Sequence, residues 1–250
     1  MSELIIVSND GPVRTVRMNR PEKKNALTLA MYDAMAAAIE SAGTNPALQC
    51  LLIAGTANGF CAGNDIGDFL GMAMGGGALG APILRFLYAL ARCEKPLVAA
   101  VQGNAVGVGT TMLLHCDHVV AAENARFATP FVGLGLVPEA ASSLIAPRLM
   151  GQARAFSLLV MGRPLSADEA KAAGLINTVI AAEAVEAEAM KAAREIAALP
   201  PQGVLAARAL MRGNPDEIIA RIDAEADLFK ARLQSAEARA AFEAFMTRKK

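Results

Sequence analysis

The chain of 250 residues has no Cys-x-x-Cys pair, two histidines, no surplus of either charge and no apolar run long enough to cross a membrane. Each of these lacks removes a class of function. Lys and Arg total 24, as do Asp and Glu. Apart from the closing Arg248-Lys249-Lys250, read as a solvated tail, no basic cluster offers itself to nucleic acid or an anionic membrane, and neither partner is expected. Cys50, Cys61, Cys93 and Cys116 lack metal or redox spacing, and three of them lie among apolar residues, so buried reduced thiols are expected rather than disulfides. His115 and His118 stand three apart with no third ligand in view, and no metal site is read from them. The N-terminal Met-Ser-Glu-Leu-Ile-Ile-Val shows no basic segment followed by a long apolar run and a cleavage site, which makes a cytoplasmic location the expectation.

What is present is apolar substance and glycine. With 54% hydrophobic residues the chain can bury a large core in one domain with a terminal appendage. The stretch Pro96 to Leu114 organises it. An apolar, β-branched run suits a strand covered on both faces, and Gly103, Gly107 and Gly109 then lead into an apolar helix. The first turn of a helix leaves its N–H groups unpaired, so such a junction can hold an anion or an oxygen becoming one. Position 112 is Met, which breaks Gly-x-Gly-x-x-Gly, and no lysine follows the last glycine as in a phosphate-binding loop. Nucleotide binding is disfavoured.

Along the chain, residues 3–8 and 12–18 read as strands around the turn Asn9-Asp10-Gly11-Pro12. Lys23 and Lys24 fall in a polar loop, and Thr28 caps a helix that buries Met31, Met35 and Ile39. A strand over 49–54 and a loop over 55–59 lead to Phe60-Cys61-Ala62-Gly63-Asn64-Asp65-Ile66, a second strand-to-helix junction that could give one more N–H to the same point. Residues 71–80 hold five glycines and no charge and read as a mobile apolar loop able to line a ligand tunnel. Pro82 to Cys93 reads as a helix with Leu84, Leu87, Leu90 and Ala91 inward. A strand follows over 116–121, and Glu139 opens an apolar helix, where the helix dipole alone favours an acid. Ser166 caps a short helix with a capping box, a strand lies near 175–180, a long helix spans 183–198, and beyond Pro200-Pro201 the pattern is helical, with Ile218, Ile222, Leu228, Phe229, Leu233, Phe242 and Phe245 as its apolar positions.

Five stretches together resemble the crotonase (enoyl-CoA hydratase/isomerase) superfamily: Arg-Pro-Glu-Lys-Lys-Asn-Ala-Leu at 20–27, Phe-Cys-Ala-Gly-Asn-Asp-Ile at 60–66, Gln-Gly-Asn-Ala-Val-Gly-Val-Gly at 102–109, Ala-Arg-Phe-Ala-Thr-Pro-Phe at 125–131 and Leu-Ser-Ala-Asp-Glu-Ala-Lys-Ala-Ala-Gly-Leu-Ile at 165–176. The resemblance spans the chain in the right order. It implies an α/β fold, a crotonase-like spiral of β-β-α units over residues 1–199 with an acyl-CoA site, and a helical C-terminal oligomerisation region over 200–250. It also implies a homotrimer or dimer of trimers. No separate cofactor is called for, coenzyme A entering as part of the substrate. The backbone N–H groups of Asn64 and Val108 would form an oxyanion hole. Lys24, Ala26, Ala62, Asp65 and Ile66 would flank the adenine and pantetheine arm.

Enolate stabilisation is common to that superfamily, so the reaction depends on the surrounding acids and bases. Hydratases resembling this chain use two glutamates, and the matching positions here are Thr111 and Phe131, neither of which moves a proton as a carboxylate does. The acid that falls at a site position is Glu139, which resembles the single glutamate of the Δ3,Δ2-enoyl-CoA isomerase branch. Its apolar neighbours Phe131, Leu134, Leu136 and Val137 should exclude water and raise its pKa. Alternatives are a hydratase or another acyl-CoA-transforming member, and a catalytically silent acyl-CoA-binding subunit. A dehalogenase is disfavoured by Glu in place of Asp and by the lack of tryptophan.

Overall fold

The computed structural model describes residues 4–57, 59–65, 67–68, 71 and 80–247. Ile66, most of the 71–80 loop and the closing Arg248-Lys249-Lys250 lie outside the described residues, as does the side chain of Phe245.

A six-stranded sheet forms the centre. Strands β1 (Ile5–Asp10) and β2 (Val13–Met18) make an antiparallel hairpin. Parallel to β2 run β3 (Cys50–Ala54), β4 (Leu97–Val101), β6 (His118–Ala122) and β9 (Thr178–Ile180), in that spatial order. The hairpin turn is tighter than the sequence suggests. Asp10 pairs with Val13, so Asn9 and Asp10 belong to the strand and Gly11, at φ +55°, makes the reversal.

Every residue of β3 and β4 is buried, as expected where helices cover both faces of a sheet. The two-residue side-chain period divides them cleanly. Leu51, Ile53, Leu97, Ala99 and Val101 join one hydrophobic cluster with Met31, Met35 and Ile39 of α1 (Leu29–Gly43) and with Ile83, Phe86, Leu87 and Leu90 of α2 (Ala81–Arg92). Cys50, Leu52, Ala54, Val98, Ala100, Val120 and Ala122 face the opposite side, where a later helix presents Val185, Ala189 and Ala193 at four-residue spacing. Thr28 caps α1 as expected, its Oγ1 accepting from the Met31 N–H at 3.3 Å. In α2, Ile83 and Phe86 are more deeply buried than Leu84, which is only partly covered.

A second, three-stranded layer gives the spiral. It is built from β5 (Asn104–Val106), β7 (Arg126–Ala128) and β8 (Leu165–Ser166), with Cys61 bridged in parallel to Ala105 beside β5. After β4 the chain steps to β5, and after β6 to β7. Each turn therefore adds one rung to each layer before a helical segment returns it, as the β-β-α resemblance implies. Two readings change on this account. The chain does not pass directly from β4 into a helix, since β5 intervenes before α3 (Val108–Thr111) and the 3-10 turn Met112–His115. The run into the second junction is not a regular strand either, residues 60–65 being held by isolated bridges at Cys61 and Asn64.

The remaining helices are α4 (Ser142–Met150), α5 (Gln152–Leu159), α6 (Ala167–Ala172), α7 (Val185–Ala197), α8 (Pro201–Arg212), α9 (Pro215–Leu233) and α10 (Ala236–Thr247). Ser166 and Glu169 form the expected capping box on α6, and α7 supplies the apolar face set against Cys50, Leu52 and Val98. Helix α9 sends Ile222, Phe229 and Leu233 into the main cluster. Glu139 does not open a helix. Helix α4 begins three residues later, after Ala140 and Ala141, which adopt left-handed backbone conformations at φ +61° and +54°. The helix-dipole explanation for an acid at this position therefore lapses.

Candidate active site

Three segments meet around Glu139. The first is the turn into α3. Gly107 takes φ +56° and ψ −122°, a conformation open to glycine and costly for other residues. Because Gly107 absorbs it, Val108 enters the helix with ordinary backbone angles and its β-branched side chain brings no strain. The Gly107 N–H donates to Ala128 O at 2.8 Å, and the N–H groups of Thr110 and Thr111 fold back on Gly107 O. Among the described residues no acceptor takes the N–H of Val108, as expected at a first helical position.

The second segment is the loop 59–65. Asn25, wholly buried at φ +57°, ties it down: its Nδ2 donates to Gly59 O at 2.8 Å and Phe60 O at 3.0 Å, and its Oδ1 accepts from the Arg20 N–H at 2.8 Å. The loop runs beside residues 24–27. The Ala62 N–H donates to Lys24 O, the Leu27 N–H to Gly63 O and the Asp65 N–H to Leu27 O, at 2.8–2.9 Å. The Gly63 N–H meets the Cys61 sulfur at 3.4 Å. Between Cys61 and Asp65, the Asn64 N–H is the one that no acceptor takes among the described residues.

Close backbone approach joins the two segments. A Cβ on Gly63 would lie 3.0 Å from Val106 O, one on Gly107 4.0 Å from the Gly63 Cα, and one on Gly109 only 2.8 Å from both Cβ and O of Cys61. Asn64 and Val108, each next in sequence to a glycine of this contact, thus sit on abutting strings of chain with their amides unspent. The Gly107 position also lies against Phe131, whose ring is buried and makes one wall apolar.

Glu139, on the third segment, is buried with 4% of its surface exposed. The Thr111 hydroxyl donates to its Oε1, which sets the carboxyl one helical turn from Val108. Burial pushes the Glu139 pKa up to about 8, the Thr111 hydrogen bond opposes this, and the nearby Glu225 carboxylate adds to it. Phe131 and Leu136 are buried, and Leu134 and Val137 pack partly buried against the main hydrophobic cluster.

The residues expected along a ligand arm also come together. Lys24 is exposed at φ +49°, with its carbonyl held by Ala62. Arg20 clamps the two strings through Nη1, which donates to Ala26 O at 2.9 Å and to Asp65 Oδ2 at 2.7 Å. Burial would raise the Asp65 pKa, but the Arg20 hydrogen bond with those from the Asp68 and Gly67 N–H groups brings it below the usual range. Ile66 is outside the described residues.

Sequence reasoning missed several members of the site. Tyr32 is fully buried and donates to Asn64 Oδ1 at 2.5 Å. Burial raises its pKa well above the usual value, and the Glu139 carboxylate raises it further. Its position beside Met31 and one turn before Met35 was the available signal. In the sequence Thr111 stands out only as a missing acid, and Arg20 belongs to a motif without a role of its own. Cys61, pushed up to about 12 chiefly by burial, is a neutral thiol that packs rather than reacts.

The arrangement can therefore offer two free backbone donors to an oxygen gaining charge, beside a desolvated carboxyl able to carry a proton near neutral pH. Comparison with known proteins gives the family. The family described as enoyl-CoA hydratase/isomerase matches residues 9–250. Enoyl-CoA delta isomerase 2 of Rattus norvegicus is 36% identical over 99% of this chain, which spans 64% of that relative's length. The 1,2-epoxyphenylacetyl-CoA isomerase of Escherichia coli is 32% identical, with 100% of this chain and 97% of the relative covered. The solved structure of Pseudomonas aeruginosa OdaA superimposes with a TM-score of 0.93 at 44% identity, covering 98% of this chain and 99% of that one.

Proposed function

The chain belongs to the enoyl-CoA hydratase/isomerase family of the crotonase superfamily, and we propose that within it the protein shifts the double bond of a 3-enoyl-CoA thioester to the 2-position. The observation that carries this reading is the buried carboxyl of Glu139, held by Thr111 of α3. In this reading the thioester oxygen accepts from the N–H groups of Asn64 and Val108, which stabilises the dienolate formed when a proton leaves carbon 2. Glu139 removes that proton and, as a carboxylic acid, returns it to carbon 4. One carboxyl suffices because no water is added. Each backbone donor contributes about 2.7–4 kcal/mol by analogy with oxyanion-hole deletions, so the hole rather than the base is the larger effect.

Coenzyme A would lie along the paired strings bearing Lys24, Ala26, Ala62 and Asp65, followed by Ile66. A homotrimer or dimer of trimers forms part of the proposal. It is supported by apolar side chains left open on the described surface, among them Phe156, Met161, Leu199, Leu210 and Met211.

Against a hydratase stand Thr111 and Phe131, which fill the two acid positions with a hydroxyl and a buried ring. The test is to follow the conjugated product by absorbance after adding 3-enoyl-CoA. Turnover by the wild type, its loss by about 10²–10⁴-fold in Glu139→Gln with acyl-CoA binding kept, and slow hydration of crotonyl-CoA are expected. Fast hydration, or a Glu139→Gln protein that keeps most of its turnover, would refute the assignment.

A further inference from the structure

We infer that Glu225, on α9 of the C-terminal region, is a positioning residue for Glu139. The inference rests on the reading of Glu139 as the base. Glu225 is 5% exposed and shares the inner face of α9 with Ile222 and Phe229. Its Oε2 accepts from the Ala141 N–H at 2.6 Å. Its Oε1 accepts from the Ser143 N–H at 2.9 Å and from Ser143 Oγ at 2.5 Å. Helix α4 has alanine at its N-cap and gains no side-chain cap from it. The carboxylate that satisfies its orphan donors thus comes from more than eighty residues away in sequence.

What Glu225 holds is a turn that alanine disfavours. Ala140 and Ala141 are both fully buried in left-handed conformations, which persist only where the surroundings over-determine them. From the other side, the His115 Nε2–H donates to Ala140 O at 2.8 Å. Burial and the Arg212 charge lower the His115 pKa to about 4, so the ring is neutral and this contact does not change near neutral pH. Glu139 is the residue immediately before this doubly held turn, and the turn sets the direction in which its carboxyl reaches Thr111. The Glu225 charge also bears on Glu139 directly and raises its proton affinity. The other groups facing Glu139 are Thr111 from α3, Tyr32 from α1 and Cys61 from the 59–65 loop. Glu225 itself faces Ser143 and feels Arg221, which lies one turn before it on α9.

The experiment compares Glu225→Gln and Glu225→Ala with the wild type in the full chain. Glutamine keeps one acceptor and loses the charge, whereas alanine loses both. Side-chain carboxyl carbon NMR, with the Glu139 resonance assigned by its absence in Glu139→Gln, gives the Glu139 titration midpoint. Steady-state kinetics on 3-enoyl-CoA give kcat and KM. The midpoint should fall by about half to one pH unit in Glu225→Gln. The kcat should fall about tenfold there and up to about 10²-fold in Glu225→Ala, with KM within about twofold. Should the alanine variant fail to fold, Ser143→Ala, which subtracts one hydroxyl contact, takes its place with a smaller loss of kcat. An unchanged midpoint in Glu225→Gln, or an unchanged kcat in the folded variants, overturns the inference. A wild type that does not convert 3-enoyl-CoA overturns the isomerase reading instead, and the midpoint alone then decides the role of Glu225.

Discussion

The hydroxyl of Thr111 donates to the carboxylate of Glu139, and the two side chains are almost wholly withdrawn from water. This bond favours the ionised carboxylate while burial favours the neutral acid, and burial wins, leaving the pKa near 8. A base must be ionised to take a proton. The value of kcat/KM should therefore rise about tenfold per pH unit below that midpoint and level off above it. Replacing Thr111 by Val removes a contribution that lowers the pKa, so the midpoint should move upward by about half to one unit. Activity at pH 7 should drop several-fold and return at pH 9. A Thr111→Val profile superimposable on that of the wild type would contradict the role given to the hydroxyl.

The same shift has a consequence for stability. The Glu139 pKa is raised in the folded state from its ordinary 4.5 to about 8, so the folded chain binds the proton more tightly than the unfolded one. The stability this confers is complete below pH 4.5 and is lost as pH rises toward 8. Glu139→Gln cannot ionise and escapes the loss. Other groups titrate equally in both proteins, so the difference in melting temperature, wild type minus variant, should decline between pH 4.5 and 8 and then stay flat. A difference that grows with pH would show that the carboxyl is stabilised as an anion.

Val108 tests the backbone donor. Proline at a first helical position loses only an N–H that the helix does not use, and Gly107 before it has an extended-type ψ of −122°. Val108→Pro should fold, bind acyl-CoA and lose about 10²–10³-fold in kcat. Retention of full turnover would remove Val108 from the oxyanion hole.

Gly109 tests how closely the segments must abut. An added Cβ would meet the Cβ and carbonyl oxygen of Cys61 at 2.8 Å, a contact with backbone that a side-chain rotation cannot relieve. Gly109→Ala should lower stability by about 1–3 kcal/mol in denaturant titration. It should also reduce kcat more than its effect on acyl-CoA affinity. An alanine variant as stable as the wild type would mean that the loop 59–65 yields easily.

Much of this was legible in the sequence because it is local. Thr28, Ser166 and Glu169 announce their caps by spacing, and the two-residue alternation of β3 and β4 lies within a continuous apolar run. Glu139 stood out as an acid among Leu134, Leu136 and Val137. The rest depends on contacts between distant segments. No local pattern says that Gly63 and Gly109 are glycines because Val106 and Cys61 press on them. Glu139 read as a helix start because the left-handed backbone at Ala140 and Ala141 is imposed from outside, by Glu225 and His115. A signal for Glu225 did exist. It sits three residues after Ile222 and four before Phe229, a carboxylate on the inward stripe of an amphipathic helix, where an acid needs a partner.

The way α7 closes the sheet also bears on how the protein is made. Val13, Leu52, Val98 and Val120 are covered on their side of the sheet by Val185, Ala189 and Ala193. The strands that carry this row are complete by Ala122. During synthesis at about 5–20 residues per second, that oily face stands open for several seconds before its cover leaves the ribosome. Each large aliphatic side chain on it forgoes about 1.5–3 kcal/mol until then. Nascent chains stalled between Ala122 and Val185 should therefore be the species that recruit chaperones or aggregate, and release just beyond Ala197 should end that exposure.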